Sequence, residues 1–124
     1  MSKKRILIVE DNVDTYELVR FILEKNGFET FLAGNGREGV HAATAQHPDL
    51  IIMDLSMPEM DGWTATSLIK KDPQLSSIPL IALTAHALPG DRQRAMDAGC
   101  DEYITKPMDL GELLVTVKNW VNKN

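Results

Sequence analysis

Unbroken apolar runs alternate along this chain with stretches whose apolar positions recur every three or four residues. Ile6–Val9, Leu50–Met53 and Leu80–Leu83 are continuous apolar runs, the pattern of parallel strands buried on both faces. Phe28–Ala33 is more mixed and suits an edge strand. Glu102–Thr105 is short and follows Gly99-Cys100, where the glycine is a helix-stop signal.

Between these strands the spacing predicts helices. Val19, Ile22 and Leu23 share one face of a first helix that stops at Asn26-Gly27. A second helix starts after Asn35-Gly36 and runs to about Gln46, because Pro48 bars further extension. The third begins near Gly62 and ends before Pro73, and the fourth, Gly90 to Ala98, starts weakly at Pro89-Gly90. For the last, Asp109 is the N-cap with Glu112 three residues on, and Leu110, Leu113, Leu114, Val117 and Val121 form the buried stripe. The tail Asn122-Lys123-Asn124 is expected to fray. Five strands, each followed by a helix, predict an α/β fold: a (βα)5 doubly wound parallel sheet of order 2-1-3-4-5, with right-handed crossovers. No repeat or linker interrupts the pattern, so residues 1–124 are expected to form one domain.

Composition narrows the function classes. A net charge of −5 argues against nucleic-acid binding, which needs basic surfaces to neutralise phosphates. The lone Cys100 has no disulfide partner and no Cys/His ligand set beside it. No apolar run approaches the ~20 residues that span a bilayer. The four apolar residues Ile6–Val9 are too few for a signal-peptide core, so a cytoplasmic protein with no membrane partner is expected.

The ends of the apolar runs carry the chemistry. Glu10-Asp11 follows the first strand, Asp54 ends the third, Thr84 ends the fourth and Lys106-Pro107 follows the fifth. In a sheet of this order, ligands bind beyond the carboxyl ends of the strands where the order reverses, so these sequence-distant groups are expected to converge. Three acids in one cleft repel one another unless a divalent cation joins them. Oxygen-only ligands favour magnesium, with manganese as the alternative. Asp11 and Asp54 are the expected direct ligands, and Glu10 is expected to act mainly through bound water. Asp54 could also be a nucleophile, since a carboxylate can attack phosphorus to give an aspartyl phosphate. The Lys106 ammonium and the Thr84 hydroxyl would then stabilise charge on the phosphoryl oxygens. The X-Pro bond after Lys106 adopts cis at modest cost, which would aim the lysine inward. The plainer readings are that Glu10-Asp11-Asn12 only caps a helix, that Lys106 is a solvated lysine, and that Thr84 is an ordinary strand residue.

Glu10-Asp11, Asp54, Thr84-Ala85 and Lys106-Pro107, in this order and spacing, resemble the receiver domain of two-component response regulators, a CheY-like, flavodoxin-like fold. The resemblance covers essentially the whole chain. It implies that Asp54 accepts a phosphoryl group from a histidine kinase or a histidine phosphotransfer protein. It further implies that Asp11, Asp54 and the backbone carbonyl of Ser56 hold the magnesium ion, that Thr84 and Lys106 contact the phosphoryl group, and that Tyr103 is a switch aromatic. Glu10 stands where the family often has a second aspartate. Phosphorylation adds roughly −1.5 to −2 charges. Thr84 would shift toward them, Tyr103 would turn inward, and the surface formed by the fourth helix, fifth strand and fifth helix would change for a downstream target protein. Ser56 and His86, two residues after Asp54 and Thr84, would tune the lifetime of the acyl phosphate. His41 and His47 are expected to be solvated. Trp63 and Trp120 read as packing or partner-contact residues, and Met57 and Met60 as a cover over the site.

The resemblance implies a monomer or weak dimer that catalyses only its own phosphotransfer and dephosphorylation and has no DNA-binding output of its own. A start at Met1, eight residues before the end of the first strand, and a polar end favour a free-standing regulator. A receiver cut from a hybrid histidine kinase is the alternative. An aspartyl-phosphate phosphatase of the haloacid dehalogenase type would place a general-acid Asp two residues after its nucleophile, where this chain has Ser56. A flavodoxin-like cofactor binder would need a Gly- or hydroxyl-rich phosphate loop in place of Glu10-Asp11-Asn12.

Overall fold

The alternation of strands and helices is realised from end to end in a computed structural model, which describes residues 3–55, 62–84 and 90–122. The elements are β1 (Arg5–Val9), α1 (Val13–Lys25), β2 (Glu29–Ala33), α2 (Gly36–Gln46), β3 (Leu50–Asp54), α3 (Gly62–Lys71), β4 (Leu80–Thr84), α4 (Asp91–Ala98), β5 (Glu102–Thr105) and α5 (Leu110–Val121). All pairings are parallel, in the order β2-β1-β3-β4-β5. The expected α/β doubly wound sheet is therefore the observed one.

Side-chain alternation sorts the strand residues into two layers. Leu7, Val9, Ile51, Met53, Leu80 and Ala82 face the layer that contains Ala43 of α2, Ala65 and Ile69 of α3, and Ala95 of α4. Ile6, Ile8, Leu50, Ile52, Ile81 and Leu83 face Val19 and Leu23 of α1 and Leu113, Val117 and Val121 of α5. The strand residues among these are essentially inaccessible to solvent, and each buried Leu or Ile side chain contributes about 1.5–3 kcal/mol. Continuous apolar runs were the right signal because both sheet faces are covered. Leu110 and Leu114 differ from the expected stripe: they are half-buried and pack against its margin.

The helix boundaries have local causes. The Asn12 side chain accepts from Thr15 N, Asn35 from Glu38 N, and Asp109 from Gly111 N and Glu112 N, so these three are the N-caps of α1, α2 and α5. His47 ends α2 in the left-handed region (φ 46°), immediately before Pro48, which disfavours a helical residue ahead of it. His41 and His47 are both exposed, as expected. At the opposite end of the sheet from the run-end acids, Lys70 Nζ donates to the Ile78 carbonyl at 2.7 Å and to Asp101 Oδ2 at 2.7 Å. Asp101 Oδ2 also accepts from Leu80 N at 2.8 Å. This network fixes the start of β4 against the end of α3.

Candidate functional site

The carboxyl ends of β1, β3, β4 and β5 bring the run-end residues together. Asp54, the last residue of β3, is 3% exposed, Glu10 2% and Thr84 1%, whereas Asp11 is solvent-facing. Backbone bonds hold these strand ends in place: Glu10 N donates to Ala33 O, Leu55 N to Leu83 O and Lys106 N to Thr84 O. The Lys106-Pro107 bond is cis, and Lys106 lies over the acids rather than in solvent.

Glu10, Asp11 and Asp54 each offer a carboxylate oxygen, all within 4.8 Å of one another. Lys106 Nζ is 3.0 Å from Glu10 Oε1 and 3.5 Å from Asp54 Oδ2. With all three acids ionised beside one ammonium, the cluster carries two uncompensated negative charges, the charge of one divalent cation. The strain of that crowding shows in Glu10. Burial, then the hydrogen bond and charge of Asp54, push its carboxyl up to about 7, although Lys106 pulls the other way. Burial pushes the Lys106 ammonium down, but hydrogen bonding to Glu10 and the charges of Asp54 and Glu10 more than offset it, so its pKa is raised. An oxygen-only donor set this crowded, with one carboxyl driven toward neutrality, fits a hard divalent cation.

The helix-cap reading of Glu10-Asp11-Asn12 is resolved within the triplet. Asn12 alone caps α1, leaving the Asp11 carboxylate free, while Glu10 Oε2 accepts from Asn12 N at 3.2 Å. Tyr103 on β5 is half-buried against the α2–α3–α4 layer. Its phenol pKa is raised by burial and by Asp91, and Thr84, a hydrogen-bonding neighbour, partly counters this. Ser56, His86, Met57 and Met60, together with Ala85 and Pro89, lie outside the described residues.

Two site features escaped the sequence reading. Gly62 opens α3 so close to β3 that a Cβ there would collide with the Asp54 carbonyl oxygen and the Leu55 Cα, so only glycine fits beside the acid. The Asp61-Gly62 pair reads as a turn, and nothing in it announces this contact. The nearest carboxylate to the Lys106 amine is Glu10, a pairing that only the folded chain reveals. Among the described residues, one cavity of about 540 Å3 lies between β2 and α2, lined by Phe31, Leu32, Arg37 and His41 among others. Another of about 480 Å3 adjoins the site, lined by Lys106 together with Thr15, Leu18, Pro107, Met108 and Leu110.

Comparison with known proteins agrees with this geometry. Residues 6–118 match the model of the response regulator receiver domain. The polar-differentiation response regulator DivK of Brucella ovis is 40% identical over 118 residues, covering 95% of this chain and 96% of that protein. Among solved structures, the receiver domain of a signal transduction histidine kinase from Syntrophus aciditrophicus superposes with a TM-score of 0.90 at 40% identity, covering 98% of this chain and 94% of that one. The receiver domain of a sensor histidine kinase from Pseudomonas aeruginosa, solved with a magnesium ion coordinated in its active-site cleft, gives 0.91 at 34% identity, covering 98% and 100%. With its five-stranded CheY-like sheet and its acids gathered at one edge, the chain belongs to the response regulator receiver domain family of two-component signal transduction.

Proposed function

We propose that this receiver works as a phosphorelay acceptor, taking a phosphoryl group onto Asp54 from a phosphohistidine on a histidine kinase or histidine phosphotransfer protein. The carrying observation is that Lys106 Nζ lies against Asp54 and Glu10, beside Asp11; this proximity supports reading Asp54 as nucleophile, Lys106 as its cation and the acids as metal ligands. An Asp54 carboxylate oxygen attacks phosphorus, and the donor's N–P bond breaks as the new O–P bond forms. Lys106 and Thr84 are assigned to the phosphoryl oxygens, where charge accumulates.

Asp11 and Asp54 would hold magnesium directly, Glu10 would act through water, and the carbonyl of Ser56, outside the described residues, is the further assigned ligand. When bound, the ion supplies charge neutralisation to carboxylates that otherwise repel one another. Glu10 keeps Lys106 aimed at the acceptor until phosphate arrives. Thr84 at the end of β4 and Tyr103 on β5, its hydrogen-bonding neighbour, form the switch that remodels the α4–β5–α5 face for a target protein. Ser56 and His86, outside the described residues, are assigned to tuning the lifetime of the phosphorylated state. This chemistry requires no catalysis beyond the domain's own phosphotransfer and dephosphorylation, and it suits the cytoplasm. No helix among the described residues is long and apolar enough to cross a membrane.

The test is transfer from a radiolabelled phosphohistidine donor in the presence of magnesium. One acid-stable, base-labile phosphoryl group per chain is expected, absent from Asp54→Asn. Label that survives in that variant removes Asp54 as the acceptor.

A further inference from the structure

Among the described residues, the helix α4 buries little apolar surface. It has eight residues, begins at Gly90 in the left-handed region (φ 91°) with no side-chain cap, and fully buries only Ala95. A segment with so little apolar burial opens easily, so each specific contact it makes carries weight. Near its end, Cys100 Sγ lies 3.7 Å from Met96 Sδ. In its middle, the Arg94 guanidinium lies 4.2 Å from the centre of the Trp63 ring.

Trp63 is not a remote platform. It is the residue after Gly62, whose N–H donates to Leu55 O at 3.2 Å and whose Cα has no room for a Cβ against the Asp54 carbonyl. Packing this close has no slack, so a shift of the Asp54 backbone must be taken up by Gly62 and therefore by Trp63. The ring is half-buried against the α2–α3–α4 layer, and a planar guanidinium stacks on such a face with geometric preference.

We infer that the Arg94–Trp63 stack is a tether that carries changes at Asp54 to α4, separate from the path through Thr84 and Tyr103 on the β5 side. The inference rests on the reading of Asp54 as the phosphoacceptor. The stack holds α4 where it lies in the unphosphorylated chain, and motion of the α3 start is delivered to α4 through the ring.

Amide hydrogen exchange of residues 91–98, with and without acetyl phosphate and magnesium, tests this in four proteins: the unaltered chain, Arg94→Met, Trp63→Leu and Trp63→Phe. Arg94→Met keeps a long stem and a good helix former, and Trp63→Phe keeps a ring face. Without acetyl phosphate, Arg94→Met and Trp63→Leu are expected to speed α4 exchange about two- to five-fold, and Trp63→Phe to stay near the unaltered chain. With acetyl phosphate, the unaltered chain and Trp63→Phe should show a change in α4 exchange that the other two largely lose, while Asp54 is labelled in all four. Arg94→Met that retains the full response, or Trp63→Leu with unaltered α4 exchange, overturns the tether. An unaltered chain that labels without any response at α4 overturns it as well. Failure to label Asp54 at all would sink the phosphoacceptor reading instead, and the comparison without phosphate would still decide whether the stack restrains α4.

Discussion

Lys106 Nζ and Glu10 Oε1 meet at 3.0 Å across 96 residues of sequence, and Asp54 Oδ2 lies 3.5 Å from the same amine. The lysine thus bridges the ends of β1 and β3. Removing an acid from this cluster and removing its cation have opposite consequences, because the acids outnumber the ammonium.

Asp54→Asn is expected to raise the stability of the metal-free protein at neutral pH by about 1 kcal/mol, since one buried carboxylate no longer repels Glu10 and Asp11. Magnesium should stabilise this variant less than the unaltered chain. Thermal melts in EDTA and in magnesium check both points. A lower midpoint in EDTA means that the Lys106–Asp54 attraction outweighs the repulsion.

Glu10 sets a pH dependence in the metal-free protein. Its carboxyl titrates near 4.5 when unfolded and near 7 when folded, so between these values the folded state holds more protons. Stability from this group is full below about 4.5 and is lost as pH rises toward 7. Lys106, raised from 10.5, keeps its contribution across that window and loses it only at higher pH. Urea denaturation in EDTA should therefore show a downward slope between pH 4.5 and 7 that Glu10→Gln flattens. Equal slopes in the two proteins would contradict the burial of this acid.

Gly62→Ala places a methyl against the Asp54 carbonyl and the Leu55 Cα. Backbone cannot yield as a side chain can, so a loss of about 1–3 kcal/mol is expected, and, on the proposed role of Asp54, slower labelling by acetyl phosphate because that residue is displaced. Denaturant midpoints and labelling rates measure the two effects. An unchanged midpoint would show that α3 starts with more freedom than this packing implies.

Thr66 in α3 is 1% exposed, and its hydroxyl has no hydrogen-bond partner among the described residues. Thr66→Val keeps the shape and removes the unsatisfied group, so stability is expected to rise by about 1 kcal/mol. A fall on calorimetry would reveal a buried water or other partner for that oxygen.

Local chemistry alone settled much of this protein. The runs Ile6–Val9, Leu50–Met53 and Leu80–Leu83 carry the pattern of strands covered on both faces, and Asn12, Asn35 and Asp109 hold the caps that short polar side chains favour. The order 2-1-3-4-5 was the expectation for a doubly wound sheet and is the one observed, and that order gathers Glu10, Asp11, Asp54, Thr84 and Lys106 on one edge. Tertiary structure decided what spacing cannot encode. That Glu10 rather than Asp54 lies nearest the lysine, that Gly62 is pressed against the Asp54 carbonyl, and that Arg94 stacks on Trp63 all depend on distances between elements. Those distances arise from how two layers of helices settle on a twisted sheet, a collective result of packing that no single stretch of residues contains.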